Sequence, residues 1–143
     1  MAFIAFRKLH MAILITSPVV LAILMIYGIM GYSGIWLGIG TSMFASIAIG
    51  LGVDFAVHTA ERLDSLQKQS FNIQEQVALL YSTTGRALVF NALALALGFG
   101  VLATSKVVPL TEFGLLVMVA IVSSLLFSLL IIPAVMVLLN KNK

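Results

Sequence analysis

The chain has 143 residues, of which 62% are hydrophobic and 9% charged, and its mean hydropathy is +1.17. Soluble domains average about 45–50% apolar and about 25% charged residues, so a water-soluble globule is excluded; disorder is excluded too, since it needs low hydrophobicity and high net charge. Cysteine is absent, which removes disulfides, thiolate nucleophiles and cysteine metal sites, and the two histidines and five acids are too scattered for a metal cage. The net charge of +3 comes from eight dispersed basic residues with no basic run, so no nucleic-acid surface is implied. This is the composition of an integral membrane protein.

A spanning helix needs about 20 mostly apolar residues, and four stretches qualify, at about 11–30, 36–59, 87–104 and 113–139. None alternates with period two, so helices rather than barrel strands satisfy the backbone in hydrocarbon. Arg7 and Lys8 precede the first run, but that run is too long for a signal peptide and a second span follows at once. Pro18 and Pro133 each delete one backbone bond from spans one and four. Thr111 is read as the cap of the fourth helix, and Ser123, Ser124 and Ser128 as small residues bonding carbonyls of their own helix.

Residues 61–84 form the polar stretch of the chain. Asn72 with Glu75 three residues later spells a capping box, and Phe71, Gln74, Val77, Ala78 and Tyr81 recur at roughly helical spacing. A short amphipathic helix along the inner membrane surface is expected, with a solvated connector as the plainer alternative. Of the eight basic residues only Lys106 lies between spans three and four, while seven fall on the opposite side; both termini are therefore expected in the cytoplasm. The resulting fold class is an all-α integral membrane protein, a four-transmembrane-helix antiparallel bundle plus a short cytoplasmic amphipathic helix, as one unit over residues 1–143.

One ionisable side chain stands out. Asp54 lies two helical turns, about 10 Å, from Glu61 and Arg62, and an acid inside a span costs about 2.5–3.5 kcal/mol on insertion scales. Its side chain is too short to snorkel, so it must face protein or a water-filled crevice. Steps of four from Ser42 collect Ser46, Gly50, Asp54, His58 and Arg62 into one polar and small-residue stripe, with Ile47, Leu51, Phe55 and Val57 on other faces. Gly50 and Gly52 permit close approach of another helix. A carboxyl that gains and loses a proton on alternate sides of a membrane couples the proton gradient to conformation, with His58 as a relay. Asn91, on a seam with Ala87, Ala94 and Gly98, is expected to donate a hydrogen bond toward Asp54. The plainer readings, in which Asp54 and Asn91 only glue helices and His58 is an interfacial histidine, stay open at this point. No nucleophile–base–acid set and no nucleotide loop emerges, so no enzyme and no cofactor is expected.

The run IAIGLGVDFAVHTAERL, with Gly50, Asp54 and Phe55 in place, resembles the intramembrane signature of resistance-nodulation-division exporters of the MMPL-like branch. TTGRALVFNALALALGFGVLATS, then Pro109, Phe113-Gly114 and PAVMVLL, resembles the family's following helices, so the likeness covers nearly the whole chain. It implies the last four of six spans from one half of a twelve-span transporter in a bacterial plasma membrane. The partners implied are the other half and the extracytoplasmic domains, or a second copy, together with membrane lipid and a hydrophobic or lipid substrate. It also implies a proton-carrying role for Asp54, with Gly50 letting the central helices meet. Phe55 departs from the tyrosine of many members, which removes a hydroxyl neighbour. Related helices occur in sterol-sensing domains, which bind lipid, and in the SecD/SecF translocation motors; both remain alternatives.

Overall fold

The computed structural model describes residues 9–36, 38–69 and 72–141. It contains α1 (Leu9–Ser33), α2 (Ile39–Lys68), α3 (Ile73–Leu80), α4 (Arg86–Gly100) and α5 (Val108–Lys141), with no strand among the described residues. A π-helical turn, Tyr81–Gly85, joins α3 to α4, and a 3-10 turn, Val101–Thr104, extends α4. Leu80, Tyr81, Gly85 and Arg86 all keep right-handed helical dihedrals. Residues 73–104 are therefore one helical course, and four courses in all are long and apolar enough to span a bilayer.

The polar stretch after span two is divided differently from the expectation. α2 continues to Lys68, whose ammonium pairs with Asp64 at 2.6 Å on the last turn. The capping box then forms as the sequence spells it: the Ile73 N–H donates to Asn72 Oδ1 at 2.9 Å and the Asn72 N–H to Glu75 Oε2 at 3.2 Å. The helix so started runs without a break into the third course as its first eight residues. Its buried side carries Gln76 and Leu80, while Gln74 and Ala78 are exposed and Phe71 lies outside the described residues.

α5 is the central helix and packs against α1, α2 and α4, whereas α2 and α4 share no comparable interface. Lipid tails are as apolar as leucine, so helices in a bilayer associate through close packing and polar contacts rather than through water exclusion. Small residues supply that packing. A Cβ on Gly114 of α5 would come within 2.7 Å of the Phe99 carbonyl oxygen of α4, and one on Gly52 of α2 within 2.7 Å of Ser124 Oγ of α5. Farther along, Ser128 on α5 donates to Thr59 Oγ1 on α2 at 3.1 Å, and Thr59 donates to the Phe55 carbonyl at 2.8 Å. The pairs Gly52–Ser124 and Thr59–Ser128 advance together, so α2 and α5 run parallel. Ser128 thus bonds across the interface rather than to its own helix, because Thr59 presents an acceptor directly opposite. Two fully buried hydroxyls that meet in hydrocarbon satisfy each other.

Pro18 and Pro133 follow one rule. Proline lacks an N–H and so frees the carbonyl four residues before it, a group that hydrocarbon cannot solvate. Pro18 frees Leu14, and Ser17 Oγ donates to the Leu14 carbonyl at 3.0 Å. Pro133 frees Leu129, and Tyr81 Oη reaches from the π turn to the Leu129 carbonyl at 2.7 Å. At the start of α5, Pro109 lies in the first turn and frees no helical carbonyl; there Thr111 Oγ1 donates to the Ser105 carbonyl at 2.9 Å. Thr111 therefore sits inside the first turn and does not cap the helix; Ser105 Oγ instead accepts from the Val107 N–H at 3.1 Å.

Candidate functional site

The residues singled out in the sequence gather on α2, whose two faces differ sharply. The inner face carries Phe44, Ala48, Gly52, Phe55, Ala56, Thr59, Ala60 and Leu63, all buried against α1 or α5. The opposite face carries Ser46, Gly50, Asp54 and His58, all exposed on the outside of the bundle. Asp54 and His58 make no hydrogen bond or ion pair with any described residue. A Cβ on Gly50 would meet nothing within 4 Å. Gly52 is thus the position of close approach within this chain, while Gly50 opens onto a vacant flank. Phe55 is 1% exposed, so its ring packs in the core and is no neighbour of the carboxyl's face.

Asn91 does not meet Asp54 within the chain. α4 turns Leu88, Ala92 and Ala96 toward α5, and the expected seam of Ala87, Asn91, Ala94 and Gly98 is exposed one position to the side. The intended hydrogen bond is absent because α2 and α4 flank α5 separately. Asn91 still lies at the depth of Asp54. It stands 13 residues before Thr104, and Asp54 stands 15 residues after Ile39, which at helical rise is about 20 and about 22 Å from the respective outer ends. Asp54 and Asn91 thus occupy open surface at similar distances from those helix ends, with His58 one turn beyond Asp54.

Three features escaped the sequence reading. The Ser128–Thr59 bridge joins α2 to α5 directly behind the Asp54 face. Ser124 Oγ, beside Gly52, is buried without a hydrogen-bond partner among the described residues. The third is the Tyr81–Leu129 bond, which Pro133 announces: a proline in a span creates an orphan carbonyl that some hydroxyl must find.

Comparison with known proteins agrees with this architecture. The chain is 26% identical over 139 residues to membrane protein MJ1562 of Methanocaldococcus jannaschii, a match covering 97% of this chain and 36% of that protein. It is 27% identical over 101 residues to membrane protein SCO6666 of Streptomyces coelicolor, covering 70% of this chain and 14% of that protein. The chain therefore spans only a minor part of the length of these relatives. No solved structure matches it. The model of the MMPL family matches residues 1–143, and the four apolar helical courses agree with that match: the chain belongs to the MMPL family.

Proposed function

We propose that this chain is the transmembrane part of a proton-motive-force-driven exporter of lipids or other hydrophobic compounds, with Asp54 as the proton carrier. The observation that carries this reading is the outward placement of Asp54. A carboxyl at that depth cannot rest against acyl chains at low cost, and its flank is built of Ser46, Gly50 and open space rather than bulky side chains. Such a face is suited to a second helical surface, with water reaching the acid between the two. The remaining half of a longer transporter, or a second copy of this chain, supplies that surface. His58, one turn toward the basic side, then relays protons, and Asn91 meets Asp54 only through the completed assembly. In this reading both termini lie in the cytoplasm of a plasma membrane, as seven of eight basic residues on one side favour. A sterol-sensing-like lipid-binding module leaves the unpaired acid without a task, whereas a translocation-motor fragment differs from this reading in its partner, the protein translocon.

The test is Asp54→Asn in the assembled transporter, with efflux of a hydrophobic dye or labelled lipid from energised cells as readout. Efflux should fall at least tenfold while membrane insertion stays unchanged. Undiminished efflux would refute the role of Asp54.

A further inference from the structure

The π turn shapes a second site, on another side of the third course. Arg86 and Asn91 are five residues apart, which at 3.6 residues per turn separates them by about 140° around the helix, so Arg86 faces away from the Asn91 seam. Beside it a groove of about 540 Å³ opens between the third course and α5, lined by Tyr81, Gly85, Arg86, Val89, Phe90 and Leu129. The groove is apolar apart from the guanidinium and the Tyr81 hydroxyl, and that hydroxyl is committed to the Leu129 carbonyl. Phe90 is 73% exposed along the groove. Gly85, whose added Cβ would sit 3.4 Å from the Leu80 carbonyl oxygen and 3.6 Å from the Tyr81 ring, contributes no bulk of its own. Arg86 is exposed and forms no ion pair or hydrogen bond among the described residues.

Arg86 stands 18 residues before Thr104, about 27 Å at helical rise, close to the roughly 30 Å thickness of a hydrocarbon core. It therefore sits at the boundary of the basic-side leaflet, with Val89 and Phe90 of the groove on its bilayer-interior side and Tyr81 and Gly85 on its basic side. An unpaired guanidinium at this level needs an anion, and its planar fork matches a phosphate in bidentate fashion. Basic pockets between helices on the cytoplasmic side recognise anionic headgroups in this way. We infer that the groove holds an anionic phospholipid of the cytoplasmic leaflet, its phosphate on Arg86 and one acyl chain along Val89 and Phe90. The lipid supplies the countercharge that the chain itself does not, and its tail covers the exposed phenyl ring. This inference uses the orientation proposed above but not the role of Asp54, so the two stand or fall separately.

The experiment is native mass spectrometry of the full chain in detergent, titrated with phosphatidylglycerol or phosphatidylcholine. Binding of one phosphatidylglycerol should be favoured over phosphatidylcholine. Arg86→Gln should weaken phosphatidylglycerol binding about fivefold, the size of effect of one basic side chain beside an anionic leaflet, and weaken phosphatidylcholine less, because choline already compensates its phosphate. Val89→Trp, which fills the groove and keeps the charge, should weaken both lipids, and it decides the matter if Arg86→Gln proves unstable. Equal binding of the two lipids, an undiminished Arg86→Gln or Val89→Trp variant, or displacement of the lipid by inorganic phosphate at equal concentration would overturn the inference. Asp54→Asn should bind phosphatidylglycerol like the parent chain, and a loss there would overturn the claim that the two sites are separate.

Discussion

The inner and outer faces of α2 are built from neighbouring residues yet obey different rules. Phe55 is packed to 1% exposure, while Asp54, one position earlier, lies in the open. Gly52 is pressed against Ser124 and Val19, while Gly50, two positions earlier, touches nothing. The inner face is a closely packed interface, in which Ser124 Oγ beside Gly52 is left without a hydrogen-bond partner among the described residues. The outer face has the same small residues and none of the partners, as half of an interface does. Glycine and serine in a span thus mark places where helices meet, but only the packing shows which meetings take place within the chain.

That contrast can be broken by experiment. The largest effect is expected at adjacent positions: Phe55→Ala should destabilise the chain by about 3–5 kcal/mol through the cavity it leaves, whereas Asp54→Ala should leave the isolated chain within about 0.5 kcal/mol of the parent. Unfolding by SDS titration in mixed micelles measures both, and similar losses would dissolve the distinction between the faces. Next in size is the glycine pair. Gly52→Val forces methyl groups into Ser124 and should cost about 1–3 kcal/mol, while Gly50→Ala should be neutral or stabilise by up to about 1 kcal/mol, the helix-propensity difference. The order of their unfolding midpoints is the readout. Smallest is the polar bridge behind the site. Thr59→Val should cost about 0.6 kcal/mol and no more than about 1.7 kcal/mol, the range for interhelical hydrogen bonds in a bilayer. A double-mutant cycle with Ser128→Ala isolates the coupling, which should vanish if the two hydroxyls do not pair.

Much of the fold could be read from residue order alone. Four apolar runs become four spanning courses, and Asn72 with Glu75 starts a helix where the capping pattern places it. The alignment of Ser46, Gly50, Asp54 and His58 on one face follows from helical geometry, as does the separation of Phe55 from them. What could not be read is the direction of that face. In a soluble protein a polar stripe points to water and an apolar one to the core, but in a bilayer both surroundings are apolar and the usual sorting signal disappears. Asn91 illustrates the point, since its seam of small residues looks fit for packing and yet lies one position away from the Leu88, Ala92 and Ala96 row that packs. The π turn was equally hidden: Ser82 and Thr83 hydroxyls fold back onto the Leu79 carbonyl at 3.3 and 2.6 Å, and nothing in YSTTG separates that irregularity from an ordinary helix.

The bond from Tyr81 to Leu129 has a mechanical consequence. It ties an irregular turn in one helix to the missing rung of another, so the most compliant point of each lies at the same height and the two are fastened there. Flexing α5 at Leu129 breaks no rung of its own ladder, since Pro133 never supplied one, and the strain passes through a single phenol to the start of α4. The third and fourth courses are thereby joined at that height as by a rivet, restrained from parting there.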